Sequence, residues 1–307
     1  MTSIKIFYAV TLTALLVPCW HAKAEACSIF MAADGKNVLV GNNEDDPPSG
    51  PFLNPKITFQ VAGAERKYGN MIFSFDDGYP EGGMNTAGLF FDITQLPPVP
   101  DAQYDAAIKD FPGLPGALLA HIMDGCGSVK EALDLVAGYR LPGIEAAQIF
   151  FADKRGDAAV VGVGKDGKIA VTRKTGQFLL ATNFSLANPS SGNYPEPRYT
   201  LASSYWAKHP VVSVRNFRTI LAAIHFEGSP ATIYSNLYDL KHGDMYLYFF
   251  HNYADAVKIN LQEQLDKKVT QTISVSSLFP VIPFSVDYTS RLAGKIDDLT
   301  KNQCPKK

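Results

Sequence analysis

The chain has 307 residues, with 28 basic and 30 acidic side chains and a formal net charge of −2. This balance argues against nucleic acid or an anionic membrane as the main partner. Hydrophobic residues make up 46% of the sequence and charged residues 19%, which predicts a sizeable packed core and argues against disorder.

Residues 1–26 have the pattern of a cleavable export signal. Lys5 precedes an uncharged, mostly apolar run at residues 6–17, which Pro18 ends. A membrane span needs roughly 20 apolar residues, so this run is too short to serve as a stable membrane anchor. We therefore expect export, either to the periplasm or out of the cell. Residues 27–307 are expected to form a single domain, with a less certain C-terminal extension from about residue 262.

Small-x-small triplets indicate two cleavage points for the signal peptide, one after Ala24 and one after Ala26. Cleavage after Ala26 makes Cys27 the first residue of the mature chain. Cleavage after Ala24 leaves two residues, Glu25 and Ala26, to be trimmed before Cys27 becomes the N-terminus. A lipid anchor on Cys27 is disfavoured, because Ala24 stands where lipoprotein signals usually carry an aliphatic residue. An N-terminal cysteine combines a thiol nucleophile with an α-amine base, which is the chemistry of N-terminal nucleophile hydrolases.

The first half of the chain reads as strands followed by helices. Apolar or alternating runs predict strands at residues 28–32, 37–40, 57–61, 71–75 and 89–94, the first two joined by a turn at Asp34-Gly35. Pro97 then breaks the pattern. A helix is expected from Pro115 to residue 123, and a second over residues 129–137, with Ser128 and Glu131 forming a capping box.

The second half repeats this order. Strands are predicted at residues 148–152, 158–163, 168–172 and 178–181, helices at 198–207 and 214–225, and strands at 232–239 and 244–250. Strands, helices, strands, helices and strands in this order favour a layered α+β domain over alternating βαβ units.

The cysteines add one constraint. Cys19 leaves with the signal, so Cys27, Cys126 and Cys304 remain. An odd number in an exported chain predicts at least one free thiol, which we assign to Cys27. Cys126 and Cys304 are then either bridged to each other or both unpaired.

Four short motifs carry a resemblance to a known family. They are CSIF at residues 27–30, GNNEDD at 41–46, GMNTAGL at 83–89, and ATNF at 181–184 with PRY at 197–199. In this order they resemble the choloylglycine hydrolase family, which includes bile salt hydrolases and penicillin V acylases. The resemblance spans roughly residues 27–255. It implies a four-layer αββα sandwich of the N-terminal nucleophile hydrolase type, and an enzyme that cleaves linear C–N amide bonds through a thioester, with neither metal nor organic cofactor.

The resemblance also implies roles for four residues. Cys27 would be the nucleophile, and Asp45 would orient its α-amine. Asn183 matches an asparagine whose side chain or local backbone donates to the tetrahedral oxyanion, and Arg198 matches an arginine that holds the amine and thiol geometry.

The roles of several other positions near the motifs are left open by the resemblance. Gln95 falls where the family has a second oxyanion asparagine, with Asp92 as a neighbouring competitor. Asn42 stands where the family usually has an arginine, which argues against bile-salt specificity. Glu44 and Asp46 are expected to be solvated neighbours of Asp45, and a Ca²⁺ loop is disfavoured because no EF-hand spacing is present.

The expected partner is a small-molecule N-acyl amide, and a homo-oligomer is an open alternative. Two other functions also stay open. One is a non-catalytic secreted binding protein on the same fold, which the asparagine at position 42 favours. The other is an acyltransferase that passes the acyl group to an amine instead of water.

Overall fold

The computed structural model describes residues 27–47, 54–99, 101–191, 194–228 and 230–280. Two antiparallel sheets form its centre. In spatial order, the six-stranded sheet consists of β10 (Phe178–Ala181), β1 (Ser28–Ala33), β2 (Val38–Asp46), β11 (Ala231–Asp239), β12 (Asp244–Phe249) and β13 (Val257–Asn260). The eight-stranded sheet consists of β14 (Gln271–Ser274), β3 (Lys56–Gln60), β4 (Asn70–Ser74), β5 (Gly82–Asn85), β6 (Leu89–Gln95), β7 (Ala147–Asp153), β8 (Ala158–Val163) and β9 (Ile169–Arg173).

Helices cover the outer face of each sheet. These covering helices are α1 (Ala117–Gly125), α2 (Val129–Val136), α3 (Pro197–Lys208) and α4 (Val214–Ala223), whereas the short α5 (Leu261–Leu265) packs against the core between the sheets. Single 3₁₀ turns lie at Ile144–Ala146, Pro189–Ser191 and Val275–Leu278. Within the part of the chain that the structure describes, no helix has the length and apolarity that a bilayer crossing requires.

Three hydrophobic clusters hold these layers together. The largest lies between the sheets, where strand residues such as Ile29 and Val40 meet Phe59, Phe73 and Phe90. A second cluster packs α1 and α2 against the outer face of the eight-stranded sheet. A third packs α3 and α4 against the outer face of the six-stranded sheet. The architecture is therefore a four-layer αββα sandwich, and the predicted fold class is confirmed.

Local signals explain where the helices begin. The Ser128 side chain accepts from the backbone N–H of Glu131, and the Glu131 carboxylate accepts from the backbone N–H of Gly127 at 2.6 Å. The capping box predicted for α2 is thus confirmed, with its return bond one residue earlier than usual. In α3 the cap is Glu196, whose carboxylate accepts from the Tyr199 N–H, and Pro197 occupies the first helical position.

The structure departs from the predicted elements at three places. Strand β2 runs to Asp46, well past the predicted end at residue 40. Strand β5 lies where no strand is predicted, and Gly83 within it adopts φ +156° close to the Met71 carbonyl. Past the last predicted strand, β13 continues the six-stranded sheet and β14 pairs with β3 at the edge of the eight-stranded sheet.

Candidate active site

Strand β2 positions the motif residues, because successive side chains on a strand point to opposite faces. Val38 and Val40 belong to the core between the sheets, so the same alternation turns Asn42, Glu44 and Asp46 towards the eight-stranded sheet. Asn43 and Asp45 face the α3 and α4 layer, consistent with the bond that the Asn43 amide donates to the Leu221 carbonyl of α4 at 3.1 Å. One short segment therefore supplies two separate polar rows.

Cys27 lies immediately before β1 and is only 4% exposed. In the β1–β2 register Ser28 is opposite Asn43, so Cys27 falls opposite Glu44. Its thiol donates to Glu44 Oε1 at 3.4 Å and lies 4.0 Å from the Asp45 carbonyl oxygen. Burial raises the pKa of the Cys27 thiol well above its usual range, and the acidic side chains of Glu44, Asp45 and Asp46 add to that rise. The resting thiol is therefore protonated, and a base must remove its proton during attack.

Asp45 forms a buried ion pair on the helix-facing side of β2. Its Oδ2 accepts from a terminal nitrogen of Arg198 at 3.0 Å, and the two side chains are 0% and 9% exposed. The Thr232 hydroxyl, opposite Asp45 in the β2–β11 register, donates to Asp45 Oδ1. Burial raises the pKa of the Asp45 carboxyl, while Arg198 and the Thr232 hydroxyl act in the opposite direction.

Further contacts with described residues hold Arg198 near the N-terminus of α3. Its Nε donates to Glu196 Oε1 at 2.8 Å, and its second terminal nitrogen donates to Asn183 Oδ1 at 2.5 Å. Its guanidinium lies 4.5 Å from the centre of the Phe226 ring. The arginine therefore joins the acid of β2, the helix cap and the segment after β10 in one network.

Asn183 reaches the site through strand pairing. Ile29 is opposite Ala181 in the β1–β10 register, and Asn183 follows β10 two residues after that pair, at the end of the ladder where Cys27 precedes β1. The Asn183 side-chain NH₂ donates to the backbone carbonyl of Gln95 at 2.7 Å, which ties the end of β6 to the same place. One hydrogen of that NH₂ group remains for a further acceptor, and the exposed Gln95 side chain lines the adjacent cavity.

Asn42 bridges two buried carboxyl groups on the sheet-facing side of β2. Its NH₂ group donates to Asp92 Oδ2 at 2.8 Å and to Glu44 Oε2 at 3.3 Å. Burial raises the pKa of both carboxyls well above the usual range, and Asp92 is the charged neighbour that raises the Glu44 pKa most. Among the described residues, neither forms an ion pair with a lysine, arginine or histidine. Burial and the proximity of the two carboxyls therefore favour the protonated form of the pair.

The sequence-based expectation for Glu44 and Asp46 was wrong. Both are buried, at 4% and 7% exposure, because β2 continues through them instead of ending in a solvated turn. Strand alternation from Val38 and Val40 was the available signal. No sequence signal pointed to Thr232, whose contact with Asp45 arises only from the β2–β11 register.

Two sets of side chains of types that can bind a metal or undergo oxidation lie outside the hydrogen-bond network of Asp45 and Arg198. His225, Glu227 and His251 each have a potential metal ligand atom within 4.8 Å of the others. Both ring nitrogens of His225 already have partners, the Ala222 carbonyl and Glu227. Cys126 is buried, and burial raises the pKa of its thiol to about 11. Cys304 and the signal at residues 1–26 lie outside the described residues, so the bridge to Cys126 and the cleavage point stay predictions.

A cavity of about 450 Å³ opens on Cys27. Residues from both sheets and from α1 line it, including the ends of β2, β6 and β7. Cys27 and Asp45 therefore line a space large enough for a small ligand, and Arg198 and Asn183 are connected to it through their contacts with Asp45 and the Gln95 carbonyl.

Fold and cavity together define the class of structure: an αββα sandwich whose first strand follows a buried cysteine, the architecture of N-terminal nucleophile hydrolases. No family model and no curated protein matches the sequence.

Solved structures do match. A variant of conjugated bile acid hydrolase from Clostridium perfringens has 15% identity and a TM-score of 0.59, over 81% of this chain and 96% of that one. Penicillin V acylase from Agrobacterium tumefaciens has 17% identity and a TM-score of 0.53, over 81% and 91%. The Caenorhabditis elegans N-acylethanolamine-hydrolyzing acid amidase ortholog has 12% identity and a TM-score of 0.50, over 70% and 93%. These likenesses establish the shared fold.

Proposed function

We propose that this protein is an exported amidase that hydrolyses linear N-acyl amides, with Cys27 as an N-terminal nucleophile. The observation that carries the proposal is that Cys27 and Asp45 line one cavity, while Arg198 donates hydrogen bonds to both Asp45 and Asn183. The bile acid hydrolase and the penicillin V acylase that share the fold are amide hydrolases by name, which supports the same class of reaction.

The first half-reaction follows from the state of the thiol. Because burial and nearby acids keep the Cys27 thiol protonated, attack on the amide carbonyl requires simultaneous proton removal. The free α-amine of Cys27, with an ordinary pKa of about 7.7–8.0, is suited to take that proton near neutral pH. The precursor would lack this base, because the same nitrogen is then part of a peptide bond. Signal cleavage would therefore activate the enzyme.

The surrounding groups stabilise the charges that develop. The remaining N–H of the Asn183 amide can donate to the tetrahedral oxyanion, and loss of such a donor costs on the order of 10²–10³ in rate in other acyl-transfer enzymes. Asp45 would orient the α-ammonium, and Arg198 fixes the Asp45 carboxylate in place. Collapse of the intermediate breaks the C–N bond, and the leaving amine takes the proton from the α-ammonium. Water then hydrolyses the Cys27 thioester and releases the acid.

The test has two parts. The mature N-terminus is determined by mass spectrometry, and Cys27→Ala, Cys27→Ser and Asn183→Ala variants are assayed against a panel of N-acyl amides. The proposal requires a chain that begins at Cys27, no turnover by Cys27→Ala, and a loss on the order of 10²–10³ in kcat for Asn183→Ala. A mature chain that retains residues before Cys27, or a fully active Cys27→Ala variant, would contradict it.

The same panel separates the alternatives. A binding protein would bind an amide and release it unchanged, whereas an acyltransferase would turn over faster when an acceptor amine is added. Hydrolysis whose rate does not depend on added amine supports the amidase.

A further inference from the structure

Three potential metal ligands lie together at the end of the six-stranded sheet where β11 begins and β12 ends. His225 and Glu227 belong to the segment between α4 and β11, and His251 follows β12. Each offers one ligand atom, and the three atoms lie within 4.8 Å of one another. Donors bound to one zinc ion in tetrahedral geometry, at about 2.0–2.2 Å from it, are roughly 3–3.5 Å apart. Small side-chain rotations would therefore bring all three atoms to a shared ion.

The contacts of His225 orient its outer ring nitrogen for coordination. Its Nδ1 lies 2.6 Å from the Ala222 carbonyl oxygen, which can only accept, so Nδ1 carries a proton. Its Nε2 lies 3.0 Å from Glu227 Oε1. In the neutral ring this contact places a lone pair against a carboxylate oxygen, so it requires either a second proton on the ring or a cation beside both atoms. The two side chains are therefore a ready pair of donors for a metal ion.

His251 is held in position by the turn after β12. Phe250 and His251 both adopt left-handed backbone angles, with φ of +42° and +64°, which cost energy in residues other than glycine and are common at functional sites. The centre of the His251 ring lies 4.7 Å from that of His225. His251 also hydrogen-bonds to the backbone at Phe226 and Thr232, while burial and then His225 lower its pKa to about 4. A neutral ring with a backbone hydrogen bond is the usual state of a metal-binding histidine.

The donor types determine which ion fits. Two imidazole nitrogens and one carboxylate oxygen are ligands of zinc in open sites, where water takes the fourth position. Calcium and magnesium instead prefer oxygen ligands throughout. The Glu227 side chain is 69% exposed and that of His225 is 21% exposed, so an ion can enter from solvent and a water molecule can complete its coordination.

The segment that carries two of these donors also contacts the Asp45 network. Phe226 stands between the two donors in sequence, and its ring lies 4.5 Å from the Arg198 guanidinium. The Phe226 backbone N–H donates to the Thr232 hydroxyl at 2.8 Å, and that hydroxyl donates to Asp45. An ion that joins this segment to the turn after β12 would therefore fix contacts that hold Asp45 and Arg198 in place.

We propose that His225, Glu227 and His251 bind a zinc ion, with water in the remaining position, and that the ion fastens the segment between α4 and β11 to the turn after β12. The inference goes beyond the proposed amidase function and does not depend on it. None of the three residues lines the cavity at Cys27, so the ion has a structural role and takes no part in cleavage of the amide.

The experiment measures zinc binding by the mature protein, purified without a histidine tag. The protein is stripped with a chelator and titrated with Zn²⁺ in competition with a chromophoric zinc indicator, both as wild type and as Cys27→Ala, in which the active-site thiol cannot bind the ion. We expect one saturable Zn²⁺ site in both proteins and no saturable binding of Ca²⁺ at the same concentrations. Zinc should also raise the midpoint of urea denaturation followed by Trp206 fluorescence, because it binds only the folded chain.

Three variants and a matched control locate the ion. His225→Gln, Glu227→Gln and His251→Gln each remove one donor and should weaken zinc binding by about tenfold or more. His242→Gln removes an exposed histidine that contacts Asp239 and lies outside the cluster, so it should keep the wild-type affinity. The urea transition of each variant without zinc reports that it is folded.

Anomalous diffraction at the zinc absorption edge then gives the position of the ion. We expect a peak at about 2.0–2.2 Å from one ring nitrogen of each histidine and from a Glu227 oxygen. The inference is overturned if zinc does not bind saturably, if binding is lost in Cys27→Ala, if both histidine variants keep the wild-type affinity, or if Ca²⁺ binds as tightly. Zinc binding at these residues in a protein that cleaves no amide would support the inference while the proposed amidase function fails.

Discussion

Removal of the Arg198 guanidinium would leave the Asp45 carboxyl buried without its cationic partner. The two side chains are 9% and 0% exposed, so the cost is that of breaking a buried ion pair. Removing one partner of such a pair costs about 3–5 kcal/mol. We therefore expect Arg198→Met to lower the free energy of unfolding by about 3–5 kcal/mol at about pH 8.

The size of this effect should depend on pH. Without Arg198, burial and the neighbouring acids Asp46 and Glu196 raise the pKa of Asp45 further above its value in the unfolded chain. The folded variant then holds a proton that the unfolded chain releases, so its stability falls as the pH rises from the unfolded to the folded pKa. The deficit of Arg198→Met relative to wild type should shrink by roughly 1 kcal/mol or more between about pH 8 and about pH 5.

Urea denaturation provides the assay. Trp206 in α3 is the one tryptophan of residues 27–307 and is buried, so its fluorescence reports unfolding. Arg173→Met is the matched control, because it breaks a surface pair with Asp157 in which the side chains are 46% and 35% exposed. That change should cost less than about 1 kcal/mol. Adding Asp45→Asn to Arg198→Met should recover part of the loss at about pH 8, since Asp45 is then no longer an unpaired buried charge, although Glu196 still lacks its arginine partner. An Arg198→Met deficit no larger than that of Arg173→Met, or equal at both pH values, would refute the reasoning.

Two further predictions concern β2 and β5. Asp92→Asn removes the charged neighbour that raises the Glu44 pKa most, so the Glu44 pKa measured by carboxyl NMR titration should fall, whereas Asp134→Asn at an exposed pair should not change it; an unchanged Glu44 pKa in Asp92→Asn would count against the carboxyl pair. Gly83→Ala places a Cβ 2.0 Å from the Met71 carbonyl oxygen at φ +156° and should cost about 3 kcal/mol or more in urea denaturation, whereas Gly63→Ala, with no atom within 4 Å, should be nearly neutral.

The helices and most strands could be predicted because their signals are local. Ser128 and Glu131 cap α2 as their spacing indicates, and alternation or apolar runs mark the sheet strands. Strand β5 escaped prediction because Gly82 and Gly83 carry no side-chain pattern, and only the approach to Met71 explains the glycine. The second half of β2 was likewise missed, because its polar residues are typical of an exposed turn and only the packing of the fold buries them.

The residues of the candidate site also fall into those that local sequence predicts and those that it does not. Cys27, Asp45, Asn183 and Arg198 could be named because short motifs surround them, although they are distant in sequence. Glu44 and Thr232 could not be given their contacts, since these depend on which strands lie on either side of β2. The bridge from Asn42 to Asp92 also requires the two sheets to face each other. Pairing between distant segments is the part of the site that a single sequence does not encode locally.

The most direct test of the central claim is to trap the acyl-enzyme on the mature protein. The protein is mixed with an N-octanoyl amide that it turns over, quenched in acid within one turnover, and digested for mass spectrometry. We predict an octanoyl mass on the peptide that begins at Cys27, and neither adduct nor turnover in Cys27→Ala. An octanoyl group on any other residue, or hydrolysis by Cys27→Ala at the wild-type rate, would contradict the account.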